Sequence, residues 1–194
     1  MITGYRASTI NKELKELLNT FKDSYRTTCY ASRVQYMKTL PAGSQIPKEG
    51  VIYGDAEKQQ FKLDCKGFRD KANKILSDAH SELKKEATEA PSTEAVNSVA
   101  LLNMRKDITE TEIEDLINRY GDNPQVWKTI RSIAGENGIR VSDHPINEQI
   151  RNIEGLMHTL NSTLSVASAS KGHAGDGFLS MVAMQIDDAF PVEG

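Results

Sequence analysis

The sequence predicts an all-α protein. Apolar residues recur every three or four positions through most of the chain, and no segment has the strict alternation that is typical of a strand. Prolines and glycines gather in short stretches between these periodic segments, where helices end. The chain has 194 residues, 38% of them apolar, which is enough for a modest core. We expect a long antiparallel helical hairpin, a small bundle of short helices and a tethered C-terminal tail.

Two long periodic segments predict the hairpin. Helical spacing of apolar residues predicts one helix over 9–39 and a second over 55–87. Two prolines and two glycines between Pro41 and Gly50 cannot lie inside a helix and predict the connecting loop. A short loop makes consecutive helices antiparallel neighbours, so the two segments should pack along their length.

The position of this loop predicts the register of the hairpin. If the chain turns near Pro47, residues equally distant from it lie side by side. Cys29 would then face Cys65, with Cβ atoms within roughly 7 Å, and Tyr25 would face Phe68. The two cysteines are either small core residues or a redox pair.

Shorter periodic segments after Pro91 predict the bundle, with helices over 93–106, 109–120, 124–134 and 146–167. Thr109 and Glu112 have the spacing of a capping box. Trp127 shares an apolar helix face with Ile130 and Ile133, so we expect it to be largely buried. The expected division is a hairpin over 8–90, a bundle over 91–168, and a linker and tail over 169–194.

The tail is the candidate partner-binding segment. A stretch rich in Ser, Gly and Ala predicts a flexible linker before it. The tail's apolar side chains are Phe178, Leu179, Met181, Val182, Met184, Ile186 and Phe190. Exposing so many apolar side chains to water is unfavourable, so we expect this segment to dock in a groove, preferably on a neighbouring copy or a partner protein. Packing on its own chain is the alternative.

Charge and composition exclude several classes of protein. The chain has 24 basic and 27 acidic residues, a net charge of −3, which argues against broad binding to nucleic acid or to acidic membranes. No stretch approaches 18 uninterrupted apolar residues, so we expect no membrane span. The amino terminus lacks the apolar core of a secretory signal, which predicts a cytoplasmic location, in a host cell or in a virion if the protein is phage-encoded.

No motif names a reaction. The four histidines lack the spacing of a helical metal site, and the sequence has neither a serine nucleophile elbow nor a phosphate-binding glycine loop. We therefore expect no catalytic residue, no cofactor and no metal. An enzyme with an unrecognised site remains an alternative.

A helix pair over 109–134 supports a second alternative, a DNA-binding regulator of the helix-turn-helix kind. The outward residues of its second helix, which would face DNA, are Gln125, Lys128, Thr129 and Arg131. The first helix of the pair is acidic, which argues against binding a phosphate backbone.

Residues 107–134, DITETEIEDLINRYGDNPQVWKTIRSIA, resemble a pattern in small uncharacterised proteins encoded among the virion-structure genes of phages and prophages of Gram-positive bacteria. The resemblance covers about a seventh of the chain and implies no catalytic residues. A long hairpin with a tethered tail is similar in outline to capsid scaffolding and other assembly proteins, although scaffolds often end in a basic helix and this chain ends apolar, then acidic. The resemblance implies a non-enzymatic structural or assembly protein that forms homo-oligomers or contacts other virion proteins.

Overall fold

The computed structural model describes residues 1–49, 51–105, 107–169 and 176–192. Within these residues there are seven α-helices and no strand, which confirms the predicted all-α class. The helices are α1 (Gly4–Thr39), α2 (Asp55–Ala87), α3 (Thr93–Asn103), α4 (Glu110–Tyr120), α5 (Pro124–Glu136), α6 (Pro145–Ala169) and α7 (Asp176–Ala189). None of the described helices is both long enough and apolar enough to cross a membrane. The predicted linker falls mostly on residues 170–175, outside the described residues.

Local sequence fixes where the short helices begin. The Ser92 hydroxyl accepts a hydrogen bond from the Ala95 amide at 3.2 Å and caps α3. Thr109 and Glu112 form the predicted capping box at the start of α4, with both reciprocal bonds present. The Asn123 side chain caps α5, whose first residue is a proline. These short polar side chains satisfy amides that a helix leaves unpaired in its first turn.

The chain folds into two compact units. One consists of Met1 and His80–Arg151, and it contains α3, α4 and α5; we call it the short-helix unit. The other consists of Ile2–Ala79 and the chain from Asn152 onward, and we call it the hairpin unit. This division differs from the expected one, because most of α6 and all of the described tail belong with the hairpin. Helix α7 packs there on α1.

Aromatic rings fill the centre of the hairpin unit. Phe21 of α1 stacks on Phe68 of α2 with ring centroids 5.0 Å apart, and Tyr25 lies 5.3 Å from Phe61. Asn73 of α2 donates a hydrogen bond to Asn161 of α6 at 2.8 Å. The buried leucines of α6 are Leu156, Leu160 and Leu164. These contacts confirm that the two long segments pair as an antiparallel hairpin and add a third helix to it.

The predicted register of this hairpin is wrong. Tyr25 packs on Phe61, seven residues before the expected partner Phe68. Seven residues of helix correspond to about 10 Å along the axis. This register places Cys29 and Cys65 at different levels of the hairpin rather than face to face. Both thiols are free and buried.

The connection between α1 and α2 explains this shift. Its final residues return along α1 before α2 begins: the Tyr53 amide donates to the Ser32 hydroxyl at 2.5 Å, and the Tyr53 ring stacks on Tyr36 at 4.4 Å. Ile52 is buried in the same place. Non-helical chain covers up to about 3.3 Å per residue against about 1.5 Å in a helix. A loop that is symmetrical in residue number is therefore not symmetrical in distance.

Three helices close the core of the short-helix unit. Its buried residues are Ala95, Val99, Leu102, Ile113, Val126, Ile130, Ile133 and Ala134. Half-buried side chains of α4, among them Leu116 and Ile117, close it from one side. Each helix therefore contributes one apolar stripe, as helical periodicity predicts.

Candidate functional site

Large apolar side chains lie exposed on the outer side of α3, next to the polar side chains of Thr93 and Asn97. Val96, Leu101 and Met104 are 49%, 66% and 80% exposed, and Ala100 between them is also exposed. A surface helix ordinarily keeps polar residues on its outer side, because exposed apolar area costs about 25 cal/mol per Å². We call these four residues the α3 face.

A groove of about 590 Å³ lies beside the α3 face, between α3 and α5. Val96 and Ala100 belong to both the face and the groove, while Gln125 and Thr129 line the opposite wall. None of the eleven lining residues is charged, although charged residues make up 26% of the chain. Covering this groove therefore takes no charge out of water, and an apolar occupant meets no large desolvation cost.

Hydrogen bonds fix the wall of the groove formed by the segment before α3. The Gln125 side chain donates to the carbonyl oxygen of Ala87 at 2.5 Å. Asn123 donates to the carbonyl oxygen of Glu89 at 3.1 Å. The start of α5 thereby holds the residues that lead into α3, so the groove is preformed rather than created by its occupant.

Two oppositely charged residues flank the α3 face at its two ends. Glu94, in the first turn of α3, accepts a hydrogen bond from the Tyr120 hydroxyl at 2.9 Å. Arg105, just past the end of α3, pairs with Glu112 of α4. The side of α3 toward α4 is therefore charged and the side toward α5 is not. A smaller cavity of about 260 Å³ on the α4 side is lined partly by charged residues.

The contacts of Glu112 lower the pKa of its carboxyl group to about 2. The Thr109 backbone amide contributes most, followed by the Arg105 side chain and then the Thr109 hydroxyl. Each of these donors binds the charged form of the carboxylate better than the neutral form. Glu112 thus stays ionised and holds Arg105 at the end of α3.

A second polar cluster joins the ends of two helices at His144. The Nε2–H of His144 donates to the carbonyl oxygen of Gly121 at 3.0 Å, and Nδ1 accepts from the Ile146 amide at 3.2 Å. Both bonds require the neutral ring with its proton on Nε2, because the carbonyl only accepts and the amide only donates. Burial lowers the pKa of His144 in addition. The imidazole therefore acts as the cap of α6 and ties it to the end of α4.

Asp143 extends this cluster to α5. Its carboxylate binds Arg151 at 2.8 Å and Arg131 at 3.1 Å, and it also accepts from Asn147. The Arg151 hydrogen bond, followed by that of Asn147, lowers the pKa of Asp143 to about 2. The ionised carboxylate binds one guanidinium group from α5 and one from α6, so its role here is to hold these two helices together.

Trp127 is half-buried at the edge of this cluster, which corrects the expectation that it lies in the core. Its indole N–H donates to the Ser142 carbonyl oxygen at 3.0 Å, and its ring meets the His144 ring edge-on at 5.2 Å. Ile130 and Ile133, on the neighbouring positions of α5, are buried as expected. The indole N–H of Trp127 needs a hydrogen-bond acceptor. The chain before α6 offers one, the Ser142 carbonyl oxygen, only at the margin of the core.

The tail forms α7 and packs on α1 of its own chain, where the sequence predicted a neighbouring copy. Asn11 of α1, itself buried, donates to the Asp187 carboxylate and to the Phe190 carbonyl oxygen, each at 2.9 Å. Lys15 pairs with Asp187 at 2.6 Å. Leu179, Val182, Ile186 and Phe190 are buried, Phe178 is half-buried, and Met181 and Met184 are 39% and 63% exposed. Only the two methionines remain on the outside of α7 as large apolar side chains.

The candidate DNA-facing residues are partly occupied by contacts within the short-helix unit. Arg131 pairs with Asp143, and Gln125 binds the carbonyl oxygen of Ala87. Thr129 donates to the backbone of its own helix. Lys128 is exposed. The four residues thus do not form one basic surface.

No metal-binding cluster occurs within the part of the chain that the structure describes: no group of three or more His, Cys, Asp or Glu side chains could hold an ion. The thiols of Cys29 and Cys65 are also expected to be unreactive. Burial raises the pKa of Cys29, and burial raises the pKa of Cys65 to about 12. A thiol with a raised pKa is a poor nucleophile and a poor ligand at neutral pH.

Neither a protein-family model, nor a curated protein, nor a solved structure matches this chain.

Sequence reasoning did not single out the α3 face. The run Val99-Ala100-Leu101-Leu102 places apolar side chains around the whole circumference of the helix, since each residue turns it by about 100°. A turn of helix that is apolar all round is normally buried on every side. This run is the feature of the sequence that could have indicated the α3 face. Its meaning depends on the fold, because only one side of α3 is covered by other helices.

Proposed function

We propose that this protein is a non-enzymatic structural or assembly protein of the phage type, which acts through helix-mediated self-association and contacts with other proteins. One observation carries the proposal: large apolar side chains of α3 remain in water although its own unit has a complete core. Exposed apolar faces of this kind mark protein–protein interfaces. The phage setting follows from the resemblance of residues 107–134.

The two exposed methionines of α7 support the same function from the hairpin unit. Met181 and Met184 lie on the outer side of a helix whose inner side is bound to α1. Methionine side chains are flexible and polarisable, and they suit surfaces that adapt to a partner. The tail would then act while anchored to its own chain rather than as a free arm.

The experiment is a measurement of molar mass in solution for the full chain, by light scattering and sedimentation across a wide range of concentration. We expect an average mass that rises with concentration above the 21.5 kDa of one chain. A strictly monomeric protein at every concentration would contradict self-association. A monomer that also shifts a DNA fragment at moderate salt would favour the regulator instead.

A further inference from the structure

We propose that α3 pairs with α3 of a second copy of this chain, antiparallel and about a two-fold axis near Ala100. This inference rests on the proposed function and names the contact through which self-association occurs. The α3 face supplies the exposed apolar side chains Val96, Leu101 and Met104 within the short-helix unit. A second copy brings an identical apolar face, which is what an isologous contact requires.

The order of side chains along α3 fits such a pair. With Ala100 of one copy opposite Ala100 of the other, Met104 of each copy reaches the level of Val96 of its partner. The small side chain at the centre lets the two helix axes approach closely, because interaxial distance depends on the residues at the contact. At each end of the pair, the long Met104 side chain of one copy then contacts the shorter Val96 side chain of the other, so no gap is left between the helices.

The flanking charges fit the same arrangement. Glu94 and Arg105 lie on one flank of the α3 face, at opposite ends of the helix. An antiparallel two-fold pair keeps that flank on one side, so Glu94 of each copy comes level with Arg105 of the other. A parallel two-fold pair would instead put this flank of the two copies on opposite sides of the contact, where neither charge meets the opposite charge of the partner.

The uncharged groove explains why a charged partner is disfavoured. Val96 and Ala100 form part of its wall, so a helix on the α3 face covers the edge of the groove as well. A lysine or carboxylate at that place would lose water without gaining a counterion. Helix α3 has 11 residues and is about 16 Å long, so the pair is small and belongs among weak, concentration-dependent interfaces.

The first test is cysteine cross-linking of the full chain, with the buried native cysteines left in place. Ala100→Cys should give a disulfide-linked dimer under mild oxidation, because the two positions meet near the axis. Asn97→Cys is the matched control, an exposed position on the same helix whose two copies lie about 9 Å apart along the axis. Equal cross-linking of the two variants, or of neither, would overturn the pairing.

The second test is charge exchange combined with measurement of mass. Glu94→Arg and Arg105→Glu should each weaken the dimer, and the double variant should recover it, with circular dichroism verifying the fold of each. Met104→Glu should raise the dissociation constant at least about tenfold. An oligomeric chain that none of these changes affects would overturn the α3 contact and leave self-association intact. A wild-type chain that is monomeric throughout would overturn both.

Discussion

His144 donates a hydrogen bond to the carbonyl oxygen of Gly121, which lies 23 residues earlier at the end of α4. The same ring accepts from the Ile146 amide at the start of α6. One neutral imidazole thus joins the ends of two helices that are distant in sequence, and this has a consequence for pH dependence.

We expect the protein to lose stability as the pH falls below about 6.5, the ordinary pKa of histidine. The folded-state pKa of His144 lies below its unfolded value, chiefly because the ring is buried. The unfolded chain therefore takes up a proton at a pH where the folded chain does not, and stability is full above the unfolded pKa and declines below it. The hydrogen bond to Gly121, followed by the charges of Glu86 and Asp143, reduces this lowering of the pKa but does not reverse it. Urea denaturation at pH 7.5 and 5.5 measures the difference.

The matched variant is His144→Asn. Asparagine can still cap α6, but it does not titrate and does not reach Gly121. We expect it to be less stable than the wild type by about 1–3 kcal/mol at neutral pH, the cost of leaving a buried acceptor unpaired. An unchanged loss of stability between the two pH values in this variant would show that His144 is not its source.

Gly121→Ala should be destabilising by about 1–3 kcal/mol. A Cβ at this position would collide with the carbonyl oxygen of Ile117 and approach the Trp127 ring to 3.0 Å. Gly135→Ala, on the exposed side of α5, is the control. Its Cβ would have nothing within 4 Å, and alanine favours a helix by up to about 1 kcal/mol over glycine. Thermal unfolding of the two variants should therefore shift in opposite directions.

The α4 cap should be sensitive to acid. Thr109→Ala should cost about 1 kcal/mol, because it removes the side chain that caps the Glu112 amide. The stabilising effect of Glu112 is present above its unfolded pKa and is lost as the pH falls toward its folded value of about 2. Helix content followed by circular dichroism during acid titration should decline over this interval, and less steeply in Glu112→Gln.

The inner and outer sides of α7 should behave differently on truncation. Phe190→Ala should destabilise the fold by about 3–5 kcal/mol, because this ring is fully buried. Met184→Ala, on the exposed side of the same helix, should stay within about 0.5 kcal/mol of the wild type. Equal effects in chemical denaturation would mean that α7 does not pack on its own chain in solution.

The native thiols should resist both oxidation and modification. Cys29 and Cys65 are buried, lie at different levels of the hairpin and have raised pKa values. We expect no intramolecular disulfide under mild oxidant, and slow reaction with a thiol reagent that becomes fast in denaturant. Fast reaction of either cysteine in the native protein would contradict their placement.

Much of the local structure could be predicted from the sequence. Periodicity located the long helices to within a few residues, and the Thr109–Glu112 spacing located the start of α4. These features depend on side chains within one or two turns of each other, so the nearest residues determine them.

The surfaces could not be predicted in this way. The register of the hairpin depended on how far the chain before Tyr53 returns along α1, which residue counting does not measure. Whether the tail stayed free or became buried depended on its packing against α1, where Asn11 binds Asp187 across a sequence distance of 176 residues.

The sequence by itself determined which segments are helical and which side chains are apolar. Only the tertiary structure decided which of those apolar side chains are covered. Val99 and Leu101, two positions apart on α3, are equally eligible for a core by composition, yet one is buried and the other is 66% exposed. The physical reason is that burial depends on the helices that pack nearby, and α5 and α4 cover only one side of α3.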